Sequence, residues 1–179
     1  MRIAAILLLA TAPAIASEDA YWEFGDWSVT VTHSFGEEHA YTECRAWTGG
    51  DGDPTLSVVA GLIDGETHEP PHVEVVERAM RGQPTAMVDG ATTAFLFDDG
   101  TLFPASMHTG ESEDGPMYRI GQIFLDQDVV TPVLRAMRNG AMVHVGISPQ
   151  WTQTFSLTGF TASFGKIAEQ CGFDPSGVI

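Results

Sequence analysis

The sequence predicts a mainly β domain, a sandwich or barrel of many short strands with short helices late in the chain. Three observations predict it. Short apolar runs recur at near-regular spacing and are punctuated by Asp64-Gly65, Asp89-Gly90 and Asp99-Gly100, dipeptides that favour tight turns between antiparallel strands. Several runs alternate apolar with hydroxyl or polar residues, the period of a strand with one buried face. The only two cysteines, Cys44 and Cys171, bracket most of the chain. Behind an export signal, such a pair is expected to form a disulfide that closes the domain.

The export signal is read from residues 1–16. Arg2 precedes an apolar run over residues 3–10, and the segment ends in the small-residue triplet Ala14-Ile15-Ala16. A basic start, a short hydrophobic stretch and an A-x-A ending are the parts of a cleaved secretory signal. About ten apolar residues are too few to span a bilayer. Cleavage after Ala16 would leave one domain, residues 17–179, in the periplasm or secreted, and loss of Arg2 would take the formal net charge from −16 to −17.

The elements follow in order. Trp27-Ser28-Val29-Thr30-Val31-Thr32 alternates as a half-buried strand does, and residues 39–48, with Cys44, form its partner across a connection at residues 35–38. The cluster Gly49-Gly50-Asp51-Gly52-Asp53-Pro54 ends that strand. Residues 56–63 follow as an apolar strand, then shorter runs at 73–76, 85–88, 93–97 and 117–124, with a polar loop over 110–116. Thr131 and Pro132 suit the N-cap and first position of a helix that carries Val133, Leu134 and Met137 to a stop at Asn139-Gly140. Residues 141–147 and 151–157 read as strands. A last helix over 159–170 has Phe160, Phe164, Ile167 and Ala168 on one face and delivers Cys171 at its end, leaving residues 174–179 as a loose tail. The string Arg-Ala-Met-Arg occurs at residues 78–81 and 135–138, but strings this short recur by chance.

Composition excludes several functions. Eight cations face 24 carboxylates, Lys166 is the only lysine, and the arginines are scattered. That balance disfavours nucleic acid and anionic lipid surfaces, both of which need clustered cations. It favours a basic protein or an envelope component as partner, by electrostatic steering. No later apolar run is long enough for a membrane span.

His68-Glu69-Pro70-Pro71-His72 spells the H-E-x-x-H of zinc proteases, whose chemistry needs both histidines on one helix face. Two internal prolines forbid that helix. In an extended chain the histidines would stand about 13 Å apart, too far to share an ion. His68 and His72 therefore read as loop residues with at most a binding role, and no metal site is assigned. His33, His39, His108 and His144 show no ligand spacing. Acidic clusters occur at Asp51/Asp53, Asp98/Asp99, Glu111/Glu113/Asp114 and Asp126/Asp128, and neither the run from Asp51 nor that from Asp126 has the EF-hand pattern. There is no G-x-S-x-G serine and no glycine-rich phosphate loop before a helix. No catalytic residue and no cofactor are assigned. Trp22, Trp27, Trp47 and Trp151 read mainly as core, with Trp47 and Trp151 the candidates for an aromatic binding face.

Two segments carry a family resemblance: Phe24-Gly25-Asp26-Trp27-Ser28-Val29, and Phe155-Ser156-Leu157-Thr158-Gly159-Phe160-Thr161-Ala162 with the S-L-x-G-F-x-A pattern. Residues 134–143 fit the helix-turn-strand that precedes the second. On these the chain resembles a divergent member of the invasion-associated locus B family of exported bacterial proteins. It departs from the family in lacking a cysteine after the first tryptophan strand and a central cysteine pair. The resemblance implies an immunoglobulin-like β-sandwich in the cell envelope, with one of its short helices C-terminal, and no active site. The expected function is a non-catalytic binding or interaction module. A small-molecule or calcium binder is the alternative, and a hydrolase ranks last.

Overall fold

A computed structural model describes residues 19–36, 39–50, 54–80, 82–111 and 119–179, with residues 67–69 described by their backbone alone. The signal segment, Asp51, Asp53, Glu113, Asp114 and most of the polar loop at 110–116 lie outside the described residues. Ten strands form: β1 (Ala20–Phe24), β2 (Trp27–Phe35), β3 (Ala40–Gly49), β4 (Thr55–Ile63), β5 (Glu66–Ala79), β6 (Thr92–Phe97), β7 (Leu102–Glu111), β8 (Arg119–Phe124), β9 (Met142–Ser148) and β10 (Trp151–Ser156). Helix α1 (Gln127–Asn139) separates β8 from β9, and α2 (Phe160–Cys171) follows β10. No helix among the described residues is long and apolar enough to cross a membrane.

The mainly β class with a C-terminal helix is as the sequence predicts. All ten strands join one antiparallel sheet in the order β1-β2-β3-β4-β5-β8-β7-β6-β9-β10. The first five form a meander. β6, β7 and β8 form a second, and β9 returns through α1 to lie beside β6, a Greek-key connection. A single apolar cluster takes Val29 from β2, Cys44 from β3, Val58 from β4, Val75 from β5, Phe95 from β6 and Ile123 from β8, and continues through β9, β10 and both helices. A sheet whose every strand feeds one core on one face must curl around that core.

The predicted disulfide is present: Cys44 and Cys171 are bonded, with Cα atoms 6.2 Å apart across 127 positions. It ties the end of α2 to the middle of β3. Closing a loop of this length contributes on the order of 4–5 kcal/mol in the chain-entropy description.

Several expectations are corrected. Residues 85–88 form no strand. The Glu77 carboxylate instead accepts the backbone N–H of Ala86 and Met87 at 2.8–3.0 Å, and Met87 is buried against Gly121. Helix α1 begins a turn before Thr131, with Asp126 at its N-cap, and Pro132 lies within it on the exposed face. The C-terminal tail is docked: Arg135 Nε donates to Gly177 O at 2.6 Å, Arg138 Nη1 donates to Val178 O at 3.0 Å, and Val178 is buried. Of the two Arg-Ala-Met-Arg strings, the first begins in β5, which holds Arg78 and Ala79, and the second lies in α1.

The His68–His72 segment, expected as a loop, is instead part of strand β5: the two prolines forbid a helix there but not an extended chain. β5 runs straight through it because Pro70 and Pro71 oppose Ala60 at a bulge: the ladder passes from Val59↔His72 to Gly61↔Glu69. Residues without an N–H are tolerated where the ladder is already broken.

The two ends of the sheet are clasped together. The β1–β2 turn packs on the junction of β10 and α2: Asp26 N donates to Thr158 O at 3.0 Å, Ser156 Oγ donates to Asp26 Oδ2 at 2.6 Å, and Trp27 Nε1 donates to Ser156 O at 2.8 Å. Trp27 then meets Phe160 edge-on at 5.2 Å, and Phe160 stacks on Phe164 at 5.7 Å. Gly159 has φ +100°, and a Cβ there would collide with the Phe24 carbonyl. Gly159→Ala is expected to lower stability by about 2 kcal/mol or more through backbone strain and this collision. Urea denaturation of wild type and variant measures it, and an unchanged midpoint would show that the clasp yields without cost.

Candidate functional site

Cross-strand register places a row of side chains on the outer face of the sheet, opposite the core. Trp47 on β3 pairs with Ser57 on β4, and Ser57 pairs with Glu74 on β5. One step along the strands, Arg45 pairs with Val59, and Val59 with His72. Val59 and Val76 on this face are buried although they lie outside the main core. Glu74 is 5% exposed, and a buried carboxylate needs a partner. Arg45 supplies it: Nη1 lies 2.6 Å from Glu74 Oε1, and Nε lies 2.9 Å from Glu43 Oε1. Burial works against the Arg45 charge, but the hydrogen bond and charge of Glu43, joined by Glu74, outweigh it and raise its pKa above the ordinary arginine value.

Beside this triad a cavity of about 200 Å³ opens, lined by Arg45, Trp47, Thr55, Ser57 and Arg78. Ser57 is 1% exposed and its hydroxyl has no hydrogen-bond partner. The only other described hydroxyl in that condition, Ser163, is on the buried face of α2. Arg78 is exposed and forms no ion pair among the described residues. Among the described residues, Glu43 and Glu74 each meet Arg45 through one oxygen and neither lines the cavity. The charged groups in its walls are the Arg45 and Arg78 side chains, beside Trp47 and Thr55, with the Ser57 hydroxyl sealed from the surface.

A larger cleft of about 420 Å³ lies between Pro70 and Pro71 of β5, α1, α2 and the C-terminal tail. Val130, Leu134, Phe164 and Phe173 give it apolar walls. Asp174 on its rim is engaged by Ser176, whose N–H and hydroxyl donate to it at 2.9 and 2.8 Å. It offers shape and few free polar groups, so the outer-face cavity is the better candidate.

The structure brings together some of the residues singled out from sequence and separates others. Trp47 lines the cavity and His72 stands on the same face, half-buried. Trp151 packs against the core from β10, with Nε1 donating to Gln153 at 3.2 Å. The His68 side chain lies outside the described residues. Trp27 is core, and Trp22 packs at its margin beneath Lys166 Nζ, 5.1 Å from the ring centroid. Among the described residues no group of three or more His, Cys, Asp and Glu side chains is placed to hold a metal ion.

Arg45, Ser57 and Arg78 were not singled out from sequence. The available signal was Glu74, a charge inside the apolar run Val73-Glu74-Val75-Val76. Which cation meets it depends on strand register. No family model, curated protein or solved structure matches the chain.

Exposed carboxylates elsewhere hold turns. Asp64, at φ 52° in the β4–β5 turn, accepts Ala40 N at 2.9 Å and approaches His39 Nδ1 at 2.7 Å. These two contacts, the backbone one first, hold its pKa below the ordinary carboxylate value. Asp98 accepts the N–H of Ala141 and Met142, and Asp99 that of Thr101, whose hydrogen bonds lower the Asp99 pKa.

Two predictions follow from these geometries. Arg45→Ala leaves the Glu74 carboxylate buried and unpaired and is expected to cost about 3 kcal/mol. Arg78→Ala, at an exposed and unpaired site, should change stability by no more than about 0.5 kcal/mol. Urea unfolding of the two variants separates these outcomes, and equal losses would contradict the pairing. Because the folded pKa of Asp64 is depressed, its ionised form contributes stability that is present above its unfolded pKa, about 3.9, and lost as pH falls through the folded value. The stability advantage of wild type over Asp64→Asn should accordingly shrink on acidification below about pH 4. A gap that stays constant from neutral pH to pH 3 would remove Asp64 from the account.

Proposed function

We propose that the protein is an exported, non-catalytic binding module of the bacterial envelope, akin to the invasion-associated locus B proteins, that holds its ligand on the outer face of β3–β5. One observation carries the reading: Arg45 and Arg78, the second without an ion pair among the described residues, line a cavity walled by Trp47. A few charged groups set in a concavity beside an aromatic ring are the usual makings of a binding site. The disulfide and the absence of a membrane-crossing helix among the described residues are compatible with export. An immunoglobulin-like sandwich in the sense of that family is part of the same proposal. The acidic surface would additionally favour a basic partner through steering.

Native mass spectrometry of protein purified from the periplasm, with and without reductant, tests the proposal. The expected result is a chain beginning at Ser17 that gains about two mass units on reduction and carries additional mass released on unfolding. Protein retained in the cytoplasm would overturn the export reading, and a consistently ligand-free periplasmic protein would count against the small-ligand site.

A further inference from the structure

We propose that the outer-face cavity is a carboxylate site, selective for a small acid with a planar apolar body. The inference rests on the reading of this chain as a binding module and specifies what the module takes.

The argument is one of complementarity. Glu74 and Glu43 meet Arg45 at 2.6 and 2.9 Å, each through one oxygen, and neither lines the cavity. The charged residues that line it, Arg45 and Arg78, are donors, with the Thr55 side chain beside them. A ligand must then bring acceptors, and a carboxylate brings two oxygens that suit the planar donor edge of a guanidinium. The Trp47 ring supplies one wall, which favours a flat apolar body over a hydrated one. The space of about 200 Å³ corresponds to roughly six or seven waters at about 30 Å³ each, which suits an acid the size of benzoate and excludes a nucleotide or a sugar chain as a wholly enclosed ligand.

Two of the few cations in a chain of net charge −16 meet at this cavity. The surrounding acidic field disfavours anions in general, so the site's preference must come from short-range hydrogen bonds. Its affinity for an anion should therefore increase when salt screens the field.

The test is a titration of wild type, Arg78→Ala, Ser57→Ala and Trp47→Phe with benzoate, benzamide and benzylamine, followed by tryptophan fluorescence and by isothermal calorimetry. Benzoate is expected to bind saturably and to quench Trp47, with the quench lost in Trp47→Phe. Benzamide and benzylamine should bind at least about tenfold more weakly, and Arg78→Ala should weaken benzoate at least about tenfold. Ser57→Ala, at a hydroxyl sealed from the cavity, should leave benzoate binding unchanged while its urea midpoint holds or rises, because a methyl group replaces an unpaired buried hydroxyl. Benzamide or benzylamine binding at this site as tightly as benzoate would overturn the carboxylate class while leaving the binding-module reading intact. No saturable response to benzoate overturns the carboxylate inference, and the periplasmic mass spectrum then decides separately whether the module reading stands.

Discussion

The structure depends on the contact between the two ends of its sheet. A ten-stranded antiparallel sheet has two edges, here β1 and β10, and open edges with unpaired backbone groups invite non-native association. The β1–β2 turn and the β10–α2 junction meet through three hydrogen bonds among Asp26, Trp27, Ser156 and Thr158. The same turn positions Trp27 beneath Phe160, so that α2 starts on the core and runs to the disulfide at Cys171. The backbones approach so closely at Gly159 that no side chain fits. Closure, helix placement and disulfide are thus consecutive consequences of one junction.

That junction is built from the Phe24–Trp27 and Ser156–Phe160 segments. Each has an architectural task in this chain: a turn, a capped indole, a left-handed glycine, an aromatic ladder. The distinctive chemistry lies on the opposite face, where Glu74 is buried beside Arg45 and Ser57 keeps an unpartnered hydroxyl next to Trp47. A buried ion pair is a poor source of net stability. Its effect here is to hold the Arg45 side chain in the cavity wall.

The acidic composition takes on a local meaning in the same light. Asp64, Asp98, Asp99 and Asp174 each accept hydrogen bonds from backbone N–H groups at turns or element ends. Part of the negative charge therefore does conformational work that a hydropathy profile registers only as solubility.

What the sequence determined by itself were features set by neighbours along the chain. Alternation over residues 27–32 gives a strand with one buried face. Asp64-Gly65 gives a tight turn because both residues must take positive φ. The spacing of Phe160, Phe164 and Ile167 gives a helix with one buried stripe, and two cysteines with no third give one disulfide. The tertiary structure decided what depends on distant partners. β7, with Pro104 and few apolar residues, is a strand because β6 and β8 flank it, and Pro104 falls where only β6 is paired. The run at 85–88 becomes a plug because the Glu77 carboxylate captures its N–H groups, and the last six residues dock because two α1 arginines reach their carbonyls. The cavity was illegible for the same reason. Trp47, Ser57, Glu74 and Arg78 share a face only through the register of three strands, and register is fixed by which face the whole sheet buries.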